Sequence, residues 1–192
     1  MTTTFHGLDL LTAPGLVFTP RPSTDALVDA ALERIDDRPA RVADVGTGSG
    51  AIAVALAVAK PDLEIWATDT NVNAVELARA NAERYGVGSR VHVLHGNLLE
   101  PVPGSVDVVV ANLPYLPESE RRPEYDGEPA EAIYAPGDGL GPLRTLVSLC
   151  ADGKLAMPGW VLVQLHRDVL EADCQHLPEL REELDAHGAS AA

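Results

Sequence analysis

The sequence predicts a doubly wound α/β domain, a mostly parallel sheet with helices on both faces. Three observations carry that prediction. Short apolar runs alternate along the chain with segments of helical period. The run Val106–Ala111 has Val or Ala at five of its six positions and no alternation, as a strand covered on both faces requires. The turn Gly46-Thr47-Gly48-Ser49-Gly50 joins a short apolar run to an all-round apolar segment. A length of 192 residues, 46% of them hydrophobic, suits one domain with a substantial core. Residues 1–22 are expected to form a lead-in segment and residues 23–192 the single domain.

Ser23–Ile35 carries Val28, Ala31, Leu32 and Ile35 on one stripe, a helix with Ser23 or Thr24 as N-cap. Arg41–Val45 reads as the first buried strand. After the glycine turn, Ala51–Ala59 reads as a buried helix stopped by Pro61. Glu64–Thr68 is the second strand, closing on Asp69. Asn73 and Glu76 have the spacing of a capping box, for a helix that runs to Tyr85 with Gly86 just beyond its end. Val91–His95 is the third strand, Val106–Ala111 the fourth and Gly159–Leu165 the fifth. Leu116–Gly141, rich in Pro, Gly and Glu, reads as a long functional loop. Asp168–Leu184 has apolar residues at Val169, Leu170, Leu177, Leu180 and Leu184, broken by Pro178, and is expected as two short helices. The sheet is thus expected to be truncated after its fifth strand. That bare edge would be covered by the two helices or by self-association.

Fourteen Lys and Arg against 29 Asp and Glu give a net charge of −15. Nucleic acid is bound by neutralising phosphates with Lys and Arg, so this balance disfavours it and fits a small molecule or a protein partner better. Cys150 and Cys174 have neither metal-ligand spacing nor a disulfide framework and read as reduced thiols. Met1–His6 lacks a basic region followed by an apolar one, and the longest apolar run, Ala51–Ala59, is too short to span a bilayer. The expected location is the cytoplasm, with no membrane partner. His92 and His95 face opposite ways on a strand, so no metal site is expected. His166 reads as solvated or capping.

In such sheets ligands bind at the carboxyl ends of the strands, where strand order reverses. Asp44-Val45-Gly46-Thr47-Gly48-Ser49-Gly50 occupies such an end, with glycines that let backbone approach a ligand. Asp69, 19 residues after Gly50, is placed to accept both hydroxyls of a ribose. Gly46-x-Gly48-x-x-Ala51 nearly fits a dinucleotide pattern, but Asp44 would repel a pyrophosphate while receiving an ammonium. The polarity points to S-adenosyl-L-methionine, with Asp44, Gly46, Thr47, Gly48, Gly50 and Asp69 as contacts and Asn97 as partner of the adenine edge. The other reading of Asp44 is a cap on the turn's own N–H groups.

After the fourth strand comes Asn112-Leu113-Pro114-Tyr115. Here the chain resembles the release-factor glutamine methyltransferases and the wider class of N-methyltransferases with an Asn-Pro-Pro-Tyr motif. The resemblance spans roughly Leu16 to Leu170. Val17-Phe18-Thr19-Pro20-Arg21-Pro22 is similar to the family's Phe-Thr-Pro-Arg-Pro segment. Glu128-Pro129, Ala132 and Asp138-Gly139-Leu140 keep its later spacing. The resemblance implies a class I, Rossmann-like methyltransferase acting on a glutamine amide of a protein such as a translation release factor. It implies catalytic roles for Asn112, Leu113, Pro114 and Tyr115, with Asn112 also beside the cofactor. Phe18, Pro20, Arg21, Tyr115 and Glu128 would meet the substrate. Leu113 replaces the family's usual Pro, a form also seen in rRNA adenine dimethylases, and Ser23 stands where the family tends to have Glu. The family's amino-terminal docking domain and carboxyl-terminal strand hairpin are not visible. An N6-adenine methyltransferase and a non-catalytic cofactor-binding or scaffold protein are the alternatives.

Overall fold

A computed structural model describes residues 1–35, 40–166 and 168–190. The chain opens with an unpredicted hairpin, β1 (Thr2–Phe5) against β2 (Leu8–Leu11). His6 and Gly7, at φ 45° and 76°, supply the two left-handed residues a two-residue hairpin turn needs. Phe5 and Leu10 are buried in the main core. The hairpin is held from below by Asn81, which is fully buried. Its Oδ1 accepts from the Leu11 N–H at 2.7 Å, and its Nδ2 donates to the carbonyls of Leu11 at 3.0 Å and Ser49 at 2.8 Å. One buried amide thus satisfies the end of β2 and the glycine turn together.

A tight turn, Pro22–Thr24, leads into α1 (Asp25–Arg34). Then follow β3 (Ala40–Val45), α2 (Ala51–Ala59), β4 (Leu63–Asp69), α3 (Val72–Arg84), β5 (Val91–His95) and β6 (Val106–Ala111). The predicted start of α3 needs correction. Asn71, not Asn73, is its N-cap, because the Asn71 side chain accepts the Asn73 N–H at 2.9 Å. The expected loop contains a short parallel pair, β7 (Leu116–Pro117) with β8 (Tyr134–Ala135), before α4 (Gly141–Leu149). β9 (Leu155–Leu165), β10 (Asp168–Asp173) and α5 (Leu177–Ser190) complete the described chain.

The sheet order is β10-β9-β6-β3-β4-β5, parallel throughout except for β10, which runs antiparallel to β9. The predicted α/β class holds, and the predicted truncation does not. The fifth long strand is followed by a sixth, with Asp168 opposite Leu165 and Asp173 opposite Trp160. Asp168–Asp173 is a strand rather than a helix because its extended backbone completes the β9 ladder. The Glu171 carboxylate, on the same strand, pairs with Arg34 of α1. The edge that had been expected to be bare is therefore covered.

Alternate residues of the same strands feed two cores. Val42, Ile65, Val91, Val108, Val110 and Leu162 pack under α1, α2, α3 and the hairpin. Ala43, Val45, Trp66, Val109, Ala111, Val161 and Val163 pack with Leu143, Leu146, Leu180 and Leu184 of α4 and α5. This is why Val106–Ala111 shows no polar alternation.

Candidate active site

Strand order reverses beside β3, whose neighbours are β4 on one side and β6 on the other. Val45 is in register with Ala111, so the chain leaves both strands side by side at Gly46 and Asn112. A cavity of about 570 Å³ opens there, within the roughly 300–1,000 Å³ usual for small-molecule sites.

One wall is the glycine turn and the carboxyl end of β4. Gly46 and Gly48 line it at φ 71° and 56°. A Cβ on Gly46 would lie 2.7 Å from Leu113 Cδ2, so this glycine lets the two strand ends close on each other. A Cβ on Gly48 would meet nothing nearer than Val17 at 4.0 Å. Asp69 also lines the cavity; its Oδ2 accepts the Gly48 N–H at 2.8 Å and its Oδ1 the Asn71 N–H at 2.9 Å. Burial raises its carboxyl above the usual range, while those N–H groups draw it back down. Each oxygen keeps a lone pair for a further donor. Thr47, Asn97 and Leu98 line the same wall. Asn97 is exposed, with its Nδ2 3.3 Å from Glu100 Oε1, and the Leu98 carbonyl accepts the buried Thr68 hydroxyl at 2.8 Å.

A second wall, which meets the first where Gly46 faces Leu113, combines Asn112, Leu113, Pro114 and Tyr115 with the lead-in residues Phe18, Pro20 and Arg21. The Asn112 Nδ2 donates to Thr24 Oγ1 at 3.1 Å, leaving its Oδ1 as the acceptor. Tyr115 stands edge-on to His166 at 5.1 Å, and burial is the main cause of its raised phenol. The Arg21 guanidinium lies 4.6 Å from the Tyr125 ring and 5.5 Å from the Phe18 ring, and donates to the Glu124 carbonyl.

Three residues expected to touch a ligand do not line the cavity. Asp44 is fully buried beneath it. Its Oδ2 accepts the Thr47 hydroxyl at 2.6 Å and the Ala53 N–H at 3.0 Å, as in the capping reading. Its Oδ1 has no hydrogen-bond partner among the described residues. Gly50 faces α3, where a Cβ would lie 3.0 Å from Ala78, so its place is in helix packing. Glu128 accepts the Thr19 N–H at 3.1 Å and ties the lead-in segment to the long loop. The histidines of β5 are also accounted for. His92 pairs with Glu64 at 3.0 Å and His95 meets the Thr70 carbonyl at 3.0 Å.

This geometry belongs to a chain whose residues 8–125 match the family model "Methyltransferase small domain". The chain is a member of that family. It is 42% identical over 166 residues to a release factor glutamine methyltransferase of Gloeobacter violaceus, covering 83% of this chain and 57% of that protein. Against the Deinococcus radiodurans protein of the same name it is 39% identical over 186 residues, covering 94% and 63%. The chain thus spans about six tenths of the length of these relatives. Among solved structures it is similar to a ribosomal protein L11 methylase from Lactobacillus delbrueckii subsp. bulgaricus. The TM-score there is 0.59 at 26% identity, over 91% of this chain and 72% of that one. It shares its fold with a T. thermophilus 16S rRNA methyltransferase in complex with AdoMet and guanosine. In that case the TM-score is 0.62 at 18% identity, over 85% and 40%.

Within this member of the family, sequence reasoning missed Thr24 and Gln164. Thr24 was read only as a helix cap. Gln164, 2% exposed and lining the cavity, was absorbed into a strand. A glutamine in an otherwise apolar run was the available signal, since a buried amide needs partners.

Proposed function

We propose that the chain is an S-adenosyl-L-methionine-dependent N-methyltransferase acting on a glutamine side-chain amide of a protein such as a translation release factor. The observation that carries this reading is the Asn112 carboxamide, tied by its nitrogen to Thr24 and lining one cavity with Asp69. The site suits the cofactor by its donor set. Asp69 keeps acceptor capacity for ribose hydroxyls, Gly46 and Gly48 bring backbone to the cavity wall, and the acidic floor suits a cation better than a phosphate. When bound, S-adenosyl-L-methionine supplies a methyl group on a sulfonium sulfur.

An amide nitrogen is a poor nucleophile because its lone pair is delocalised. The Asn112 Oδ1 and the Leu113 carbonyl accept its two N–H bonds and turn the lone pair toward the methyl. Alignment of this kind is worth several kcal/mol of barrier, on the order of 5 or more. Tyr115 packs on the planar acceptor, and Pro114 holds Leu113 extended, so the carbonyl keeps its place without the family's usual proline. The Asn112 oxygen also holds the N–H that becomes acidic as the nitrogen gains its methyl, so no base is needed beforehand. Leu113 is the one feature that favours an adenine amine instead; the net charge of −15 weighs against it.

The test is transfer of radiolabelled methyl from S-adenosyl-L-methionine to a recombinant bacterial release factor and, in parallel, to bulk RNA. Label on a glutamine of the protein supports the reading. Label on RNA alone, or on neither, overturns it.

A further inference from the structure

We infer that Thr24 is a positioning residue, which fixes the plane of the Asn112 carboxamide through a hydrogen bond to its nitrogen; this rests on the methyl-transfer reading above. Thr24 ends the Pro22–Thr24 turn, which runs straight into α1, so its φ of −85° and ψ of −10° are helical and its side chain makes no capping bond. Here the oxygen accepts from Asn112 Nδ2 at 3.1 Å, across 88 residues of sequence, and Thr24 is only 5% exposed. The side chain thus ties the start of α1 to the site.

The turn carrying Thr24 is itself anchored from the sheet. Ala111 is in register with Val163, so Asn112, just past the end of β6, lies beside Gln164 near the end of β9. The Gln164 Nε2 donates to the Ser23 carbonyl at 3.1 Å and to the His166 carbonyl at 3.4 Å. Carbonyls only accept, so this amide has one workable orientation. Both neighbouring amides therefore turn their NH₂ groups to the same three-residue turn.

Orientation matters because a carboxamide rotated by half a turn exchanges its acceptor for two donors. An Asn112 presenting its NH₂ would set N–H against the N–H of the acceptor amide, and the nitrogen lone pair would not be aimed. The Thr24 hydroxyl can donate as well as accept, so what it fixes is the plane of the carboxamide; with Nδ2 bonded to it, Oδ1 is turned outward before any acceptor arrives, which is preorganisation of the kind that raises turnover rather than binding.

The experiment compares wild type with Thr24→Val, which keeps the shape and loses the oxygen, and Thr24→Ser, which keeps the hydroxyl. Steady-state kinetics with a recombinant release factor are run beside ¹⁵N–¹H measurement of the Asn112 side-chain amide, assigned by its loss in Asn112→Ala. We expect Thr24→Val to lower kcat roughly tenfold to a hundredfold, the range of a small misplacement at a reacting centre. The KM for the release factor and the affinity for S-adenosyl-L-methionine should stay within about threefold, and Thr24→Ser should restore most of the loss. The Asn112 amide protons should exchange slowly in wild type and Thr24→Ser, and fast in Thr24→Val. Equal turnover in Val and Ser variants, or a fall in KM terms alone, overturns the inference. If wild type transfers no methyl to the release factor, the methyl-acceptor reading fails separately. The exchange measurement then decides for Thr24: protection lost only in Thr24→Val supports the bond, and fast exchange already in wild type overturns it.

Discussion

The two walls of the cavity are built differently. The wall with Gly46, Gly48 and Asp69 comes from neighbouring stretches of chain. The Thr47 hydroxyl meets Asp44 three residues away, the Ala53 N–H meets the same carboxylate nine away, and Gly48 meets Asp69 across 21. The second wall is assembled from afar. Thr24 reaches Asn112 across 88 residues, Arg21 reaches Glu124 across 103, Thr19 reaches Glu128 across 109 and Ser23 reaches Gln164 across 141. A pocket for one invariant small molecule can be local and stiff. On the proposed function the second wall must also let a protein side chain in, and among the described residues its lead-in segment and long loop are joined by long-range bonds of this kind. The comparison predicts that damage to the first wall is read in cofactor affinity and damage to the second in turnover or acceptor affinity.

The largest effect is expected at Asn112. Asn112→Ala removes the one side-chain oxygen of the motif that can accept an N–H in the acceptor plane. It should cut kcat about a hundredfold or more while the dissociation constant for S-adenosyl-L-methionine, measured by calorimetry, stays nearly unchanged. A parallel loss of cofactor affinity would mean the two walls are not separable. Next comes Asp69→Ala. Losing charge-assisted acceptors should weaken cofactor binding by roughly 1–3 kcal/mol. The acceptor KM, measured at saturating cofactor, should not move.

How much of this was legible follows the same division. The glycine turn, the close of β4 on Asp69 and strands β5 and β6 lie where the sequence places them, because period, turn chemistry and burial all act over a few residues. The β1–β2 hairpin was missed because Thr2-Thr3-Thr4 has no apolar stripe, and its burial depends on Asn81 some 70 residues away. Asp168–Asp173 was expected as helix because its strand state is fixed by pairing with β9, which local propensity does not report. At the site, the motif at 112–115 was visible, and its support from Thr24 and Gln164 was not. Those contacts join segments whose adjacency exists only once Ala111 and Val163 are in register. Gly50 and Glu128 were given ligand roles from their place in motifs, whereas their contacts are with Ala78 and Thr19.

Glu128 sharpens the contrast with a smaller effect. Its Oε2 holds the Thr19 N–H, so Glu128→Ala should loosen the lead-in segment against the loop. The acceptor KM should rise about three- to tenfold, the size expected for one partly solvated charge-assisted bond. Cofactor affinity should stay level, and a shift there instead would place the lead-in segment on the wrong wall.

The smallest effect tests whether the buried floor belongs to the first wall in energy as well as in position. Burial pushes the Asp44 carboxyl up to about 6 from an ordinary 3.8, against the pull of the Thr47 hydroxyl and the Ala53 N–H, with the Asp69 charge adding to the rise. Between those two pH values the folded chain keeps a proton that the unfolded chain has released. This group's contribution to stability therefore falls as pH rises from about 4 to 6 and is level above that. Asp44→Asn, neutral and of the same shape, should lack that fall. The difference in urea midpoint between variant and wild type should grow in the variant's favour across the window. A bound cation favours the ionised carboxylate, so it should draw the proton off. Wild-type affinity for S-adenosyl-L-methionine should then drop on going from pH 7 to pH 5, by about two- to threefold given that Asp44 lies beneath the cavity rather than in it. In Asp44→Asn the drop should vanish. If both proteins bind the cofactor equally at both pH values, Asp44 acts only on the turn through Thr47 and Ala53, and the ligand feels the first wall through Asp69 and the glycines alone.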